Sequence, residues 1–294
     1  MSDLKLVSNF LATDPVAPED ADAIVLPVAY DKTSSWHKGA DLGPQAILNA
    51  SALLELHDSA LDLDLDTAAY RVATLPVLTT SAMPDRLADL VERETASILA
   101  RRALPVILGG EHSVSIGAVR AAAKHAPDLT VLQIDCHTDT RESYFGSTHS
   151  HACVMARARE VAMPIHVGIR SLHAEERAAI PEDRLFLAHD VLADEDAAVR
   201  RIADLLTPNV YVTIDVDGLD PALIPATGTP EPPGLSWSFV TRLLAAVAER
   251  SRIVGFDVVE LCPRIGQHAS DVAAARLVQL TMALALRARA AASA

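Results

Sequence analysis

Short apolar runs recur along the chain, separated by longer Ala-, Leu- and Arg-rich stretches with helical spacing of their apolar positions. Runs at 23–28 (AIVLPV), 104–108 (LPVIL), 129–135 (LTVLQID), 164–169 (PIHVGI), 184–187 (RLFL), 209–216 (NVYVTIDV) and 252–259 (RIVGFDVV) predict strands. The stretches 85–102, 114–125, 151–160, 194–206, 236–250 and 269–290 predict helices, with Asp194 and Ser236 placed to cap two of them. Apolar strands alternating with helices belong in a mostly parallel sheet covered on both faces.

Other patterns have plainer readings. LDLDLD (61–66) marks a half-exposed strand or loop with a solvated face rather than a cation site. The tail RARAAASA reads as a fraying helix end, and no repeat or linker divides the chain, so 1–294 is read as one domain with room for a substantial core. No uninterrupted apolar segment of about 18 residues is present, so a membrane span is not expected. The first residues carry acids and prolines where a signal peptide needs a basic and then an apolar stretch. Cys136, Cys153 and Cys262 form no C-x-x-C pair and suit reduced thiols in a cytoplasm. Lys plus Arg number 25 against 39 Asp plus Glu, a net charge of −14. That balance disfavours nucleic acid and anionic membrane as partners and tolerates a small cationic substrate.

In open parallel sheets, functional groups gather beyond the carboxyl ends of strands. Three predicted strand ends carry ligand-type residues: His112 after PVILGG, then Asp135, His137 and Asp139 in DCHTD, then Asp215 and Asp217 in DVDGLDP. Strand alternation would turn Asp135, His137 and Asp139 to one face, about 7 Å from each to the next, with Cys136 on the other. So many acids and imidazoles facing one point are costly unless a cation compensates them. Carboxylates with two imidazoles suit Mn²⁺ best, with Fe²⁺, Co²⁺ or Ni²⁺ as other occupants. No thiol is placed for a Cys-rich structural zinc site. Six donors exceed the needs of one ion, so two are expected, roughly 3.5–4 Å apart and lowering the pKa of a bridging water toward neutrality. Asp220, before Pro221, reads as a turn residue.

The motifs GGEHS (109–113), DCHTD (135–139), SHACVMAR (150–157), DVDGLDP (215–221), TGTPEPPGLS (227–236) and DVVELCP (257–263) resemble, in order, those of the ureohydrolase (arginase–agmatinase) family. The block 30–58 resembles the opening of its agmatinase branch, whereas PATGTP is closer to arginases. The resemblance implies a three-layer α/β/α fold, assembly as trimers or hexamers, and a binuclear manganese site hydrolysing a guanidinium to urea and an amine. By position, it gives one ion to His112, Asp135, Asp139 and Asp215, and the other to Asp135, His137, Asp215 and Asp217. Asp139 would also aim the attacking hydroxide. Glu260 matches the carboxylate that pairs with the planar guanidinium, and His151 the histidine that passes a proton to the leaving amine. From spacing alone His149 competes with His151, and only the SHA context selects the latter. Glu231 sits in a Pro-rich loop and reads as its brace, while His166, His173 and His189 show no partner spacing. Two departures stand out: Cys136 replaces the alanine common in that motif, and Pro233 stands where glycine is usual.

The segment 140–150 (TRESYFGSTHS) is expected to set substrate choice. Arg141, Ser143, Ser147 or Thr148 suit an α-carboxylate, whereas agmatine needs only an acceptor such as Glu142. The acidic chain favours agmatine, cleaved to putrescine and urea, with aminopropylagmatine as a longer variant. The alternatives are arginine, a guanidino acid such as guanidinobutyrate, or formiminoglutamate. A non-catalytic metal-binding protein on the same scaffold would be expected to lack part of the site, and no part is missing.

Overall fold

The computed structural model describes residues 7–65 and 70–293. The strands are β1 (Ala23–Ala29), β2 (His57–Asp58), β3 (Leu63–Asp64), β4 (Val72–Thr74), β5 (Leu78–Thr79), β6 (Leu104–Leu108), β7 (Leu129–Ile134), β8 (Met163–Ile169), β9 (Leu185–Leu187), β10 (Asn209–Asp215) and β11 (Arg252–Val259). A nine-stranded sheet runs β4-β1-β6-β11-β10-β7-β8-β9, with β5 also on β1, and its pairings are parallel. β2 and β3 form a separate antiparallel pair.

The helices are α1 (Gly43–Ser51), α2 (Pro84–Ala100), α3 (Ser115–His125), α4 (Val154–Ala158), α5 (Ala174–Ala179), α6 (Ala188–Ala193), α7 (Glu195–Leu205), α8 (Trp237–Arg250) and α9 (Ala269–Ser293). The two-residue period of the strands divides the core into two layers. Val25, Val106, Leu132, Val212 and Phe256 pack with α1, α7, α8 and α9. Ile24, Ile107, Val131, Tyr211 and Val254 pack with α2, α3 and α4 on the opposite face. The result is the expected α/β/α sandwich, each fully buried aliphatic or aromatic side chain contributing about 1.5–3 kcal/mol. The predicted caps form: Asp194 accepts from Ala197 N at 2.9 Å and Ser236 from Phe239 N at 3.0 Å.

α9 is long and apolar enough to cross a membrane, but 78% of its most apolar window is buried inside the protein, where it packs on α1 and β11. Asp271, Arg276, Arg287 and Arg289 interrupt its sequence, so it holds no unbroken apolar run of spanning length. In LDLDLD, Leu63 and Leu65 are buried while Asp62 and Asp64 face solvent, and Asp64 pairs with His57 at 2.8 Å. The solvated-face reading holds there; Asp66 lies outside the described residues.

Register aligns the central strand ends. Leu108 pairs with Val258, Val259 with Asp215, and Ile214 with Ile134. The chain therefore leaves β6, β11, β10 and β7 side by side at one edge, carrying GGEHS, Glu260, DVDG and DCHTD. Gly110 permits this crossing: a Cβ there would lie 1.8 Å from Tyr30 O. Gly110→Ala is therefore expected to lower stability by at least the roughly 1–3 kcal/mol of an overpacked site, read as a lower urea midpoint. An unchanged midpoint would show that the Tyr30 segment gives way freely.

Candidate metal centre and cleft

His112 follows β6 in a 3₁₀ turn and is 1% exposed. Its Nε2 lies 2.8 Å from Thr213 Oγ1, and Thr213 donates its proton to Asp257 Oδ1 at 2.6 Å. Thr213 therefore accepts from Nε2–H, which leaves the lone pair on Nδ1. That Nδ1 is buried with no hydrogen-bond partner, yet stands 3.2 Å from Asp135 Oδ2, 3.0 Å from Asp139 Oδ2 and 3.5 Å from Asp215 Oδ2. A buried lone pair aimed among three carboxylate oxygens fits a cation and little else.

A second focus lies beside the first. His137 Nδ1 is 3.6 Å from Asp135 Oδ1 and 3.2 Å from Asp217 Oδ2. One oxygen each from Asp135, Asp215 and Asp217 lie within 4.8 Å of one another. Asp135 thus touches both foci. All six ligand-type residues read from the sequence converge, and oxygen with imidazole nitrogen is a donor set suited to Mn²⁺.

Strand alternation is not what brings them together. β7 stops at Ile134, and Asp135–Asp139 form a turn in which Asp135 Oδ1 accepts from His137 N at 2.5 Å and Asp139 takes φ 50°. Asp217 sits in the 3₁₀ turn after β10, where Asp215 Oδ1 accepts from its N–H at 2.9 Å. Gly218 lets the two turns touch, since a Cβ there would lie 2.8 Å from Asp135 N. The opposite-face placement of Cys136 also fails beyond the strand: its Sγ lies within 4.8 Å of donor atoms of His137 and Asp217. Burial, then the Asp217 carboxylate, push this thiol well above its ordinary range, so it stays protonated.

Charge at the site is unbalanced without a cation. Burial, then Asp217, Asp135 and Glu260, push Asp215 well above the usual carboxylate range. Burial and Asp135 push Asp139 to about 6. Asp135 goes the other way: burial opposes its charge, but His112 and His137 hold it low.

A cleft of about 300 Å³ opens above the donors, lined among others by Trp36, Asp139, Tyr144, His151, Glu176 and Glu260. Glu260, at φ 64° after β11, accepts from His112 N at 2.8 Å. Burial, then Glu111, push its carboxyl well above the usual range, so a cation in the cleft would stabilise its charged form. His151 faces the same space, whereas His149 turns away to Arg120 at 2.9 Å. Burial pushes His151 down to about 4, so its ring is neutral.

A family model described as Arginase family matches residues 21–283. The chain belongs to the arginase family. Within that family it is 34% identical to the N(1)-aminopropylagmatine ureohydrolase of Synechocystis sp., over 93% of this chain and 92% of that protein. It is 36% identical to the agmatinase of Pyrococcus horikoshii, over 92% of this chain and 94% of that one. The solved agmatine ureohydrolase of Thermoplasma volcanium superposes with a TM-score of 0.84 and 32% identity, covering 97% of this chain and 96% of that structure.

The surroundings of this arginase-family centre correct one expectation. Glu142 does not reach the cleft: it is 66% exposed and pairs with Arg157 and Arg159. The carboxylate at the mouth is Glu176, which accepts from Arg141 Nε at 3.0 Å while the Arg141 guanidinium lies 4.9 Å from the centre of the Tyr144 ring. Sequence gave no signal for Glu176, because only the turn after β8 brings it over. His166 was also missed: its Nδ1 is 2.5 Å from Gln133 Oε1, and Gln133 Nε2 donates to Asp135 Oδ2 at 2.7 Å. Arg170, equally unflagged, donates to the backbone carbonyls of Gly168, Asp217, Gly218, Leu219 and Glu231, clamping the DVDG turn against the Pro-rich loop. Glu231 contributes its carbonyl there, and the Pro232–Pro233 bond is cis.

Proposed function

We propose that the chain, acting as one ureohydrolase domain, is a binuclear manganese hydrolase that cleaves agmatine to putrescine and urea. The observation that carries this is the buried donor cluster lying at the floor of a cleft that also holds Glu260 and His151. The names of its full-length relatives support the same substrate class. His112, Asp135, Asp139 and Asp215 would hold one ion and Asp135, His137, Asp215 and Asp217 the other. When bound, the ions would lower the pKa of a water and so supply the nucleophile that a resonance-stabilised guanidinium requires. Asp139 would orient that water by accepting its hydrogen bond. Glu260 fixes the guanidinium by meeting its planar donors. Neutral His151 receives a proton and returns it to the departing amine nitrogen.

At the mouth, Glu176 is placed to accept a distal ammonium. Arg141, which also lines the cleft, gives only its Nε to Glu176 and lies over Tyr144, so the amine reading rests on Glu176 and on the relatives. Aminopropylagmatine fits the same argument, being a longer amine. Assembly as a trimer or hexamer in the cytoplasm completes the reading.

Urea release from agmatine, aminopropylagmatine, arginine and guanidinobutyrate, with manganese content measured on the same sample, tests it. Agmatine and its aminopropyl derivative are expected to turn over with about two manganese ions per chain. Turnover of arginine alone would overturn the substrate. His151→Asn is expected to lower kcat by about 10²–10⁴-fold, the range for a positioned acid or base, with both metals retained; metal loss would reassign His151 to the ligand set.

A further inference from the structure

Two histidines at this centre are each backed by a threonine and a buried acid, and the two sets leave opposite nitrogens free. Asp257 and Thr213 leave Nδ1 of His112 bare. At His151, Thr33 Oγ1 lies 3.1 Å from Nδ1 and accepts from the His151 backbone N–H at 3.0 Å. Thr33 Oγ1 also lies 2.8 Å from Oε1 of Glu111, which is fully buried.

We propose that Glu111, acting through Thr33, holds His151 in its Nδ1–H tautomer and so keeps Nε2 as the atom that takes up the proton. The inference rests on the reading of His151 as the proton carrier. A hydroxyl has one proton and two lone pairs. The His151 N–H takes one lone pair. Glu111 accepts fixed backbone donors from Ser113 at 2.7 Å and Thr33 at 3.3 Å, and so presents Thr33 with an acceptor. The Thr33 proton goes to Glu111, its second lone pair faces Nδ1, and Nδ1 must therefore carry a hydrogen.

Nε2 makes no hydrogen bond among the described residues, and the ring stands edge-on to Tyr144 with centroids 5.5 Å apart. In the reaction Nε2 takes one proton from the attacking water. It gives that proton to the amine nitrogen as the C–N bond breaks, and the proton left on the urea oxygen passes through solvent to the freed amine, so the ring ends in the form in which it began. The other tautomer has no lone pair at Nε2 and cannot begin this cycle. Glu111 and Thr33 touch neither substrate nor water in this scheme; they are positioning residues.

The test uses manganese-loaded protein with agmatine. Thr33→Val is expected to lower kcat about 10–100-fold, the cost of losing a partner that orients a working imidazole, with KM and manganese content unchanged. Thr33→Ser restores most of the rate, because it keeps the hydroxyl. Thr33→Cys, whose sulfur bonds weakly, carries the same expected loss as valine and serves if the valine variant melts early. Combining Thr33→Val with His151→Asn is expected to be no slower than His151→Asn alone. Wild-type kcat in both the Val and Cys variants, or losses that multiply in the double variant, would overturn the inference. A wild-type rate in His151→Asn alone would instead remove the proton-carrier reading beneath it.

Discussion

Asp215→Asn is expected to bind manganese roughly 10²–10⁴-fold more weakly and to lose urea formation in proportion. The carboxylate is 3% exposed, and its Oδ2 stands 3.5 Å from the bare Nδ1 of His112. Asparagine is nearly isosteric, and its carbonyl can still accept from Asp217 N, a bond of 2.9 Å in the parent. The turn survives, and what is lost is one negative charge in a buried cluster. Losing one partner of a buried charge pair costs about 3–5 kcal/mol, which at about 1.36 kcal/mol per decade gives the range stated.

The same substitution has an opposite effect on the metal-free protein. Burial and three neighbouring acids raise the folded-state pKa of Asp215 above its unfolded value of 3.8. A carboxyl raised in this way contributes stability below the unfolded value and loses it as pH rises toward the folded one. Metal-free wild type should therefore weaken from acid toward neutral pH, and Asp215→Asn should flatten that slope. At neutral pH the metal-free variant should melt above metal-free wild type, and manganese should raise its melting temperature less, since a ligand stabilises in proportion to its affinity. A variant retaining two manganese ions per chain, with an unaltered melting response to the metal, would remove Asp215 from the centre.

The core of this arrangement was legible and its detail was not, for reasons that differ by element. β6, β7, β10 and β11 are mostly apolar runs buried along all or nearly all of their length, so their patterns announce both strand and position. α1, α5 and α6 were missed because six to nine residues give periodicity too little length to register. α1 did carry a start signal, Pro44 in its first turn, that went unused. The six converging side chains were legible because D-x-H-x-D and D-x-D are rare clusters, yet the reason given for their convergence was wrong past Ile134. Hydrogen bonding inside two turns does what the pleat was expected to do. Glu142 was named and Glu176 was not for the same underlying cause: sequence proximity to the motif stood in for spatial proximity. Thr33, Glu111, Gln133, His166, Thr213 and Asp257 support the site from 2 to 118 residues away in sequence. Only register and loop closure bring such groups together, and no local pattern encodes those.

Glu260→Gln is expected to reduce kcat/KM for agmatine by about 10²–10³-fold while leaving manganese content near two per chain. Glu260 Oε1 accepts from His112 N at 2.8 Å, a bond that an amide oxygen can keep, so the backbone beside His112 need not move. The left-handed conformation at Glu260, φ 64°, is tolerated by either side chain to a similar degree. The difference is electrostatic. A guanidinium entering the cleft leaves water and meets one full negative charge in the parent, but an uncharged amide with two unwanted donors in the variant. Truncating a buried, hydrogen-bonded charge pair costs about 2–5 kcal/mol, and the middle of that range gives the loss stated. Because the guanidinium is bound in ground and transition states alike, much of the loss should fall on KM, and free guanidinium should inhibit the variant more weakly than wild type. Asp215 and Glu260 are thus predicted to separate cleanly, one change emptying the metal centre and the other disarming a loaded one. If Glu260→Gln also lost its manganese, the carboxylate would belong to the ion-holding set, and the guanidinium would need another partner in the cleft.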